Sequence, residues 1–132
     1  MTTFVDTNVI IDALDESAAG HAWAVKQLEA AEQPLVICDI VYSEFSISIE
    51  DIAKTNAAIS ELALDRTPFT DESLFRAGKA FFEYKKRGGT KTNVLSDFLI
   101  GALAASDGAT LLTANPRDFR SYFPALRLIC PS

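Results

Sequence analysis

The stretch TFVDTNVIID, residues 3–12, indicates the fold class of this chain. Residues 3–5 form a short run rich in β-forming side chains, and this run ends at Asp6. The apolar residues that follow Asn8 recur with helical spacing up to Leu14. A strand that leads directly into a helix is typical of an α/β protein with a parallel sheet. We therefore expect Asp6 to lie at the carboxyl end of the first strand.

The rest of the chain continues this alternation of short apolar runs and helical stretches. Apolar runs of about four residues are too short for helices and suit buried parallel strands. Further strands are predicted over residues 35–38, 67–69, 110–113 and 126–130, and further helices over 18–32, after Asp39, over 50–64, 70–87 and 97–106. The predicted fold class is α/β, a three-layer α/β/α sandwich around a short, mostly parallel central sheet of four to five strands.

The predicted helix over residues 70–87 has the strongest local signals in the chain. Acidic residues begin it, basic residues end it, and two glycines follow, as the helix dipole and C-terminal capping favour. Helical spacing predicts a buried stripe of Leu74, Ala77, Gly78, Phe81 and Phe82. Elsewhere, helix N-caps are predicted at Asp39 and Ser96.

Composition and charge exclude several classes of protein. The chain has 132 residues, 48% hydrophobic and 23% charged, with a mean hydropathy of +0.14. These values fit one globular domain over residues 1–132 and exclude a disordered or low-complexity chain. The formal net charge of −6 is opposite to that of a protein that holds nucleic acid by bulk charge. Contact with a polyanion would therefore need a local basic patch or a bound cation.

Cysteine use and the N-terminus indicate the compartment. Cys38 and Cys130 both lie in largely apolar runs, so we expect buried, reduced thiols rather than a disulfide framework. The first residues lack a basic start followed by an apolar stretch, and no window reaches the roughly 18 apolar residues of a membrane span. We expect a soluble, cytoplasmic protein without a membrane partner.

Oxygen-bearing side chains come shortly after several predicted strands. Asp6 follows the first strand, and Glu44 lies in the helix after the second. Asn115 and Asp118 follow a later strand, and Asp97 opens a helix that we place at the same edge. Ligands of open parallel sheets bind beyond the carboxyl ends of the strands. We therefore expect these side chains to gather at one rim of the sheet.

Carboxylates that gather without a nearby lysine repel one another unless a cation lies among them. This set offers only oxygen donors, which suit Mg²⁺ or Mn²⁺ and do not suit zinc or iron. An ion held by few carboxylates keeps water and open positions, where phosphate oxygens can bind and one water can become a nucleophile. The residues alone thus indicate metal-assisted chemistry at phosphate.

Four motifs resemble those of PIN domains, and of VapC-type toxin ribonucleases in particular. They are FVDTNVIID at residues 4–12, SEF at 43–45, SDFLIGA at 96–102 and TANPRDF at 113–119. They occur in the family's order and cover essentially the whole chain. The resemblance implies a metal-dependent endoribonuclease that is the toxin of a VapBC-type toxin–antitoxin pair. It further implies a homodimer or a toxin–antitoxin hetero-oligomer, inhibited by a VapB-type antitoxin that inserts a segment into the acidic groove.

The resemblance also implies roles for individual residues. Asp6 and Asp97 would hold the metal, Mg²⁺ or Mn²⁺, with Glu44 completing the acidic site. The fourth catalytic position, often acidic in the family, matches the amide of Asn115, and the nearest carboxylate is that of Asp118. The fourth ligand therefore stays open between these two. The side chains that would hydrogen-bond the ligands or the attacking water are Thr7, Asn8 and Thr113.

Several of these residues also have purely structural explanations. Asp6 and Asp97 could serve only as helix N-caps, because carboxylates favour helix starts. The basic residues near the end of helix 70–87 could stabilise its C-terminus or contact RNA phosphates. The residues in question are Lys85, Lys86, Arg87 and Lys91, with Arg117 inside the last motif and Arg120 directly after it.

Two other functions would also use an aspartate that follows a strand. A non-enzymatic, receiver-like signalling domain would be phosphorylated on Asp6, but no acid lies directly beside Asp6 and no lysine follows the last strand. A phosphohydrolase with an aspartyl nucleophile needs a second acid two residues further on, where Asn8 stands. The sequence favours the nuclease over both.

Overall fold

A computed structural model describes residues 1–91 and 94–132. The strands within these ranges are β1 (Thr3–Val5), β2 (Leu35–Ile37), β3 (Leu64–Arg66), β4 (Thr110–Leu112) and β5 (Arg127–Ile129). The helices are α1 (Thr7–Leu14), α2 (His21–Ala30), α3 (Asp39–Ser46), α4 (Ile52–Glu61), α5 (Asp71–Lys86), α6 (Val94–Ser106) and α7 (Arg117–Tyr122). The strands form one parallel sheet in the order β3-β2-β1-β4-β5.

Helices cover both faces of this sheet. Because connections between parallel strands are right-handed, the strand order places α1 to α4 on one face and α5 to α7 on the other. Contacts between neighbouring helices within each set agree with this arrangement. The central strands β1, β2 and β4 are buried along their whole length, as a parallel sheet with two covered faces requires. The predicted three-layer α/β/α fold is confirmed, and the sheet is parallel throughout.

Helix α6 lies deepest among the helices because small residues let it approach its neighbours closely. Gly101 to Ala104 are all buried, as is the ring of Phe98. A Cβ atom on Gly101 would lie 2.9 Å from ring carbons of Phe123. Only a residue without a side chain allows this contact, so Gly101 fixes the distance between α6 and the segment after α7.

The third strand lies three residues earlier than predicted. The helix predicted over residues 50–64 ends at Glu61, and Ala63 adopts a positive φ of 54° where the chain turns back. Leu64 is buried and pairs with Leu35 of β2. The predicted strand over 67–69 contains Pro68, which has no N–H to donate to a sheet ladder. The prediction of its position was therefore wrong.

The buried face of α5 also differs from the predicted stripe. Ser73, Ala77 and Ala80 are buried, whereas the side chains of Leu74 and Phe82 are 45% and 62% exposed. Helix α5 packs on α6 through its small residues, because these allow the two helix axes to approach. The larger side chains are consequently turned away from this contact. Gly78 is exposed as well, so the predicted stripe was wrong for Leu74, Gly78 and Phe82.

Two of the predicted N-caps were misplaced. Asp39 lies inside the first turn of α3, where its carboxylate is 2.6 Å from Nη2 of Arg66, and the N-cap position is Cys38. Ser96 lies inside α6, because the helix already includes Val94, whose side chain is buried. Local capping chemistry cannot anticipate either tertiary contact.

Both cysteines are free thiols, as expected, but only Cys38 is buried and Cys130 is half-buried. Burial raises the pKa of the Cys38 thiol. Among the described residues no helix is long and apolar enough to cross a membrane.

Candidate active site

The order of the strands creates a crevice between β1 and β4. The chain extends from β1 through β2 to β3 on one side, and from β4 to β5 on the other. In such sheets, ligands bind outside the carboxyl ends of the strands at this point of reversal. Asp6 directly follows β1, and Thr113 directly follows β4. A carboxylate and a hydroxyl group thus lie at the two strand ends that border the crevice.

The carboxylate of Asp6 is held by three hydrogen bonds. Its Oδ1 accepts from the backbone N–H of Thr7 at 2.8 Å. Its Oδ2 accepts from Oγ1 of Thr113 at 2.7 Å and from Nδ2 of Asn8 at 3.3 Å. Asp6 is also the N-cap of α1 and is only 4% exposed, so its capping and site roles coexist. Burial raises the pKa of Asp6, and the charge of Glu44 adds to the rise, while the three hydrogen bonds oppose it.

A further layer of hydrogen bonds fixes these donors. Oδ1 of Asn8 accepts from the backbone N–H of Ala114 at 3.1 Å. The hydroxyl of Thr113 accepts from the backbone N–H of Asn115 at 3.1 Å, which leaves its proton for Asp6. The loops after β1 and β4 are therefore tied together through side chains, and Asp6 cannot rotate without breaking them.

A cavity of about 320 Å³ opens over Asp6. Glu44 reaches it from α3 and Asp97 from α6, so segments that are far apart in sequence meet there. Oε1 of Glu44 accepts from Oγ1 of Thr7 at 2.7 Å. The residues that line the cavity are Asp6, Thr7, Asn8, Ile11, Glu44, Ile47, Asp97 and Asn115.

Asp97 is partly buried beside several other carboxylates. Its pKa is raised from 3.8 to about 7, chiefly by burial and then by the charges of Asp6, Glu44 and Asp118. Lys91 acts in the opposite direction and lowers the pKa, but its effect is the smallest. The cavity therefore concentrates negative charge that the protein itself neutralises only in part. A cation would relieve this repulsion.

The donor set fits a hard divalent cation, with one restriction. Within residues 1–91 and 94–132, no three His, Cys, Asp or Glu side chains are placed so that they could hold a metal ion together. Mg²⁺ needs no such cage, because it usually binds through one or two carboxylates and keeps several waters. Asp6 and Asp97 meet this requirement in the same cavity, and Glu44 beside them is engaged by Thr7.

The remaining predicted residues lie at different distances from the cavity. Asn115 lines it, whereas Asp118 does not, although its charge acts on Asp97. Of the six basic residues singled out in the sequence, Lys91 is the one whose charge acts on Asp97. Lys85 lies over the ring of Phe81, Arg87 lies over the ring of Tyr122, and Arg120 donates to Sγ of Cys130, while Lys86 and Arg117 are exposed.

Sequence reasoning missed the apolar rim of the cavity. Ile11 lines it from α1, and Ile47, which is 84% exposed, lines it from the end of α3. A signal for Ile11 was present, because one helix face cannot bury all three residues of the run from Val9 to Ile11. An adjoining groove of about 410 Å³ continues from this rim and is lined by Ile11, Leu14, Asp15, Phe45, Ser48, Ile49, Lys54 and Ala58.

Comparison with known proteins identifies relatives of this architecture. The family model of the PIN domain matches residues 3–122. No curated protein sequence matches the chain. A toxin–antitoxin complex from Klebsiella pneumoniae is 24% identical, with a TM-score of 0.74 over 98% of each chain. VapBC-1 from nontypeable Haemophilus influenzae is 23% identical, with a TM-score of 0.72 over 98% of each chain. The sarcin-ricin loop cleaving toxin VapC20 from Mycobacterium tuberculosis is 18% identical, with a TM-score of 0.66 over 90% of this chain and 93% of that one.

Proposed function

This chain belongs to the PIN domain family, and on that premise we propose that it is a metal-dependent endoribonuclease, the toxin of a VapBC-type toxin–antitoxin pair. The observation that carries the proposal is the meeting of Asp6, Glu44 and Asp97 in one cavity at the β1–β4 crevice. Their mutual repulsion supports a cation among them, and a cation allows a protein of charge −6 to hold a phosphodiester.

Asp6 and Asp97 would hold Mg²⁺ or Mn²⁺, and the amide of Asn115 lies beside them. When bound, such an ion neutralises charge on the phosphate and lowers the pKa of a bound water. The protein's part is to hold its donors still. Thr113 fixes the orientation of Asp6 through Oδ2, and Thr7 fixes Glu44 through Oε1. Held in this way, Glu44 would accept a proton from the attacking water.

The direct test is cleavage of end-labelled transfer RNA and total RNA with Mg²⁺, with Mn²⁺ and with EDTA. We expect discrete, metal-dependent products from the wild type and none from Asp97→Asn. The matched control is Asp107→Asn, the same substitution at an exposed turn just after the same helix, which should keep full activity. Full activity of Asp97→Asn would contradict the proposal. Products that end in a 2′,3′-cyclic phosphate would contradict attack by water.

The receiver-like alternative has less support. Receiver domains use the strand order 2-1-3-4-5, whereas this sheet has the order β3-β2-β1-β4-β5. Both carboxylate oxygens of Asp6 already accept hydrogen bonds, and the residue is nearly inaccessible to a phosphodonor. Stable labelling of Asp6 by acetyl phosphate would nevertheless revive this function.

The proposed VapB-type antitoxin has a surface on which it could dock. The apolar groove between α1, α3 and α4 begins at Ile11 and is therefore continuous with the acidic cavity. Leu14 and Ile47 are exposed beside it. A partner segment with an apolar face and a basic end would cover the groove and place its charge on the carboxylates. Such a segment would inhibit the enzyme by occupying its cation site.

We also propose that the toxin forms a homodimer through α5. Leu74, Gly78 and Phe82 recur at every fourth position on one side of this helix, and all three are exposed. Exposed apolar side chains in a row commonly mark an interface. Light scattering on the wild type should give the mass of a dimer, and Leu74→Asp with Phe82→Asp should give that of a monomer. A monomeric wild type would contradict this part of the proposal.

A further inference from the structure

A second cavity, of about 430 Å³, lies between α5 and the segment that follows α7, and it shares no lining residue with the acidic cavity. We propose that this α5–α7 groove, defined by Phe75, Arg76, Lys79, Glu83, Arg87 and Tyr122, binds the single-stranded RNA that flanks the cleavage site. The inference rests on the proposed nuclease function and supplies what that function lacks, a surface that grips the substrate.

The groove is positively charged on a negatively charged protein. Arg76 and Lys79 of α5 and Arg87 directly after it line the groove. The carboxylate that lines it with them is that of Glu83. Oε2 of Glu83 is 3.8 Å from Nε of Arg87. Among the described residues, Arg76 and Lys79 form no ion pair, and Arg76 donates a hydrogen bond to Oγ of Ser106 at 3.1 Å. Two cations thus remain available for phosphate oxygens.

Aromatic rings lie directly beside these cations. Phe75 is 66% exposed, and Nζ of Lys79 lies 5.2 Å from its ring centroid. The guanidinium carbon of Arg87 lies 5.1 Å from the ring centroid of Tyr122. Single-stranded nucleic acid is held by this combination, in which bases stack on aromatic faces while basic side chains contact the backbone. A free phosphate or an acidic peptide would use the cations but not the exposed ring.

Positive charge continues from the groove toward the carboxylates. Arg76 and Arg87 are about 16 Å apart along α5 at about 1.5 Å per residue. Lys91 follows, anchored by its backbone N–H to the phenol oxygen of Tyr84 at 2.9 Å, and its charge acts on Asp97. An RNA strand whose scissile phosphate lies at the acidic cavity would therefore meet Lys91 first and then enter the groove at Arg87.

The test measures RNA binding without cleavage. A fluorescein-labelled, mixed-sequence RNA of about 12 nucleotides is titrated with protein in EDTA, and fluorescence anisotropy gives the Kd. Arg76→Gln with Lys79→Gln should weaken binding at least tenfold and lower the salt dependence by about two phosphate contacts. The matched control is Lys26→Gln with Lys54→Gln, which removes the same charge from exposed positions of α2 and α4 on the opposite face of the sheet and should change Kd less than threefold. Phe75→Ala should weaken binding at least fivefold, because a stacking surface is lost.

Two results would overturn the inference. An equal loss of affinity in both double variants would mean that only bulk charge matters. Unchanged affinity in the Arg76 and Lys79 double variant, together with a dimer that Phe75→Ala dissociates in light scattering, would assign the groove to contact between copies. Circular dichroism establishes that each variant is folded. Because the assay needs no catalysis, wild-type binding without cleavage under any metal would contradict the proposed function and not the groove.

Discussion

Replacing Asp97 by asparagine is expected to stabilise the metal-free protein even though it impairs the site. In the native state the carboxylate of Asp97 is partly buried and faces the charges of Asp6, Glu44 and Asp118. Asparagine has nearly the same shape and no charge, so it removes both the desolvation cost and the repulsion. A residue kept for cation binding should show this conflict between stability and function.

The sign and size follow from the pKa of Asp97. That pKa is about 7 in the folded protein against 3.8 for an ordinary aspartate, so the folded state binds more protons between these pH values. The free energy of unfolding therefore falls as pH rises from about 4 to about 7, and the loss persists at higher pH. The full shift corresponds to about 4 kcal/mol. Because solvent screens a half-buried group, we expect about 1–2 kcal/mol.

Thermal unfolding of the wild type and of Asp97→Asn in EDTA measures this difference. At pH 8 the variant should unfold about 4–8 °C higher, and the difference should vanish near pH 4. Addition of Mn²⁺ should invert the order, since an ion at about 100 times its Kd adds about 2.7 kcal/mol to the wild type alone. Asp107→Asn should show neither effect. A variant less stable than the wild type at pH 8 would contradict charge repulsion at Asp97. A variant that Mn²⁺ stabilises as much as the wild type would contradict cation binding by Asp97.

Contacts around the site and in the core give three further predictions. Thr113→Val removes the hydrogen bond to Oδ2 of Asp6 and should lower kcat for RNA cleavage about 10–100-fold with little change in fold. Unchanged kinetics would show that this hydroxyl does not orient the carboxylate. Gly101→Ala places a methyl group against the ring of Phe123. It should lower the free energy of unfolding, measured by urea titration, by about 1–3 kcal/mol. Equal stability would mean that the ring can move aside. Leu14→Asp should preserve RNA cleavage but prevent inhibition by the antitoxin, and normal inhibition of this variant in the cleavage assay would place the partner elsewhere.

Much of the sheet could be predicted because parallel strands are buried on both faces. Strands β2 and β4, which begin at Leu35 and Thr110, are buried along their whole length. Such short apolar runs suit buried parallel strands. The third strand was misplaced because β3 is an edge strand in which Asp65 and Arg66 are exposed. Its pattern is weak, and its position is set by pairing with β2, which no local signal reveals.

The orientation of α5 could not be predicted from the spacing of its apolar residues. Such a prediction assumes that the largest apolar side chains are buried, whereas this helix buries Ala77 and Ala80 against the small residues of α6. How closely two helices approach depends on the residues of both, so the sequence of α5 alone does not predict which of its faces is buried. The same packing leaves Leu74, Phe75 and Phe82 exposed, which is where the proposed partner surfaces lie.

The polar site was more accessible to sequence reasoning than its apolar surroundings. Asp6 follows a strand and Asp97 lies near the start of a helix, and the topology of a parallel sheet brings such positions to one edge. Ile47 gave no comparable signal, because an apolar residue at a helix end is ordinarily explained by the core. Its place beside the carboxylates depends on how α3 is oriented against α1.

The proposed metal site is tested most sharply by the dependence of the RNA cleavage rate on Mn²⁺ concentration, measured for the wild type and for Asp6→Asn. We expect no cleavage by the wild type in EDTA and a rate that saturates with Mn²⁺. Asp6→Asn should need at least tenfold more Mn²⁺ or show no cleavage at all. Wild-type cleavage at an undiminished rate in EDTA, or identical Mn²⁺ curves for the two proteins, would mean that Asp6 does not hold a catalytic cation.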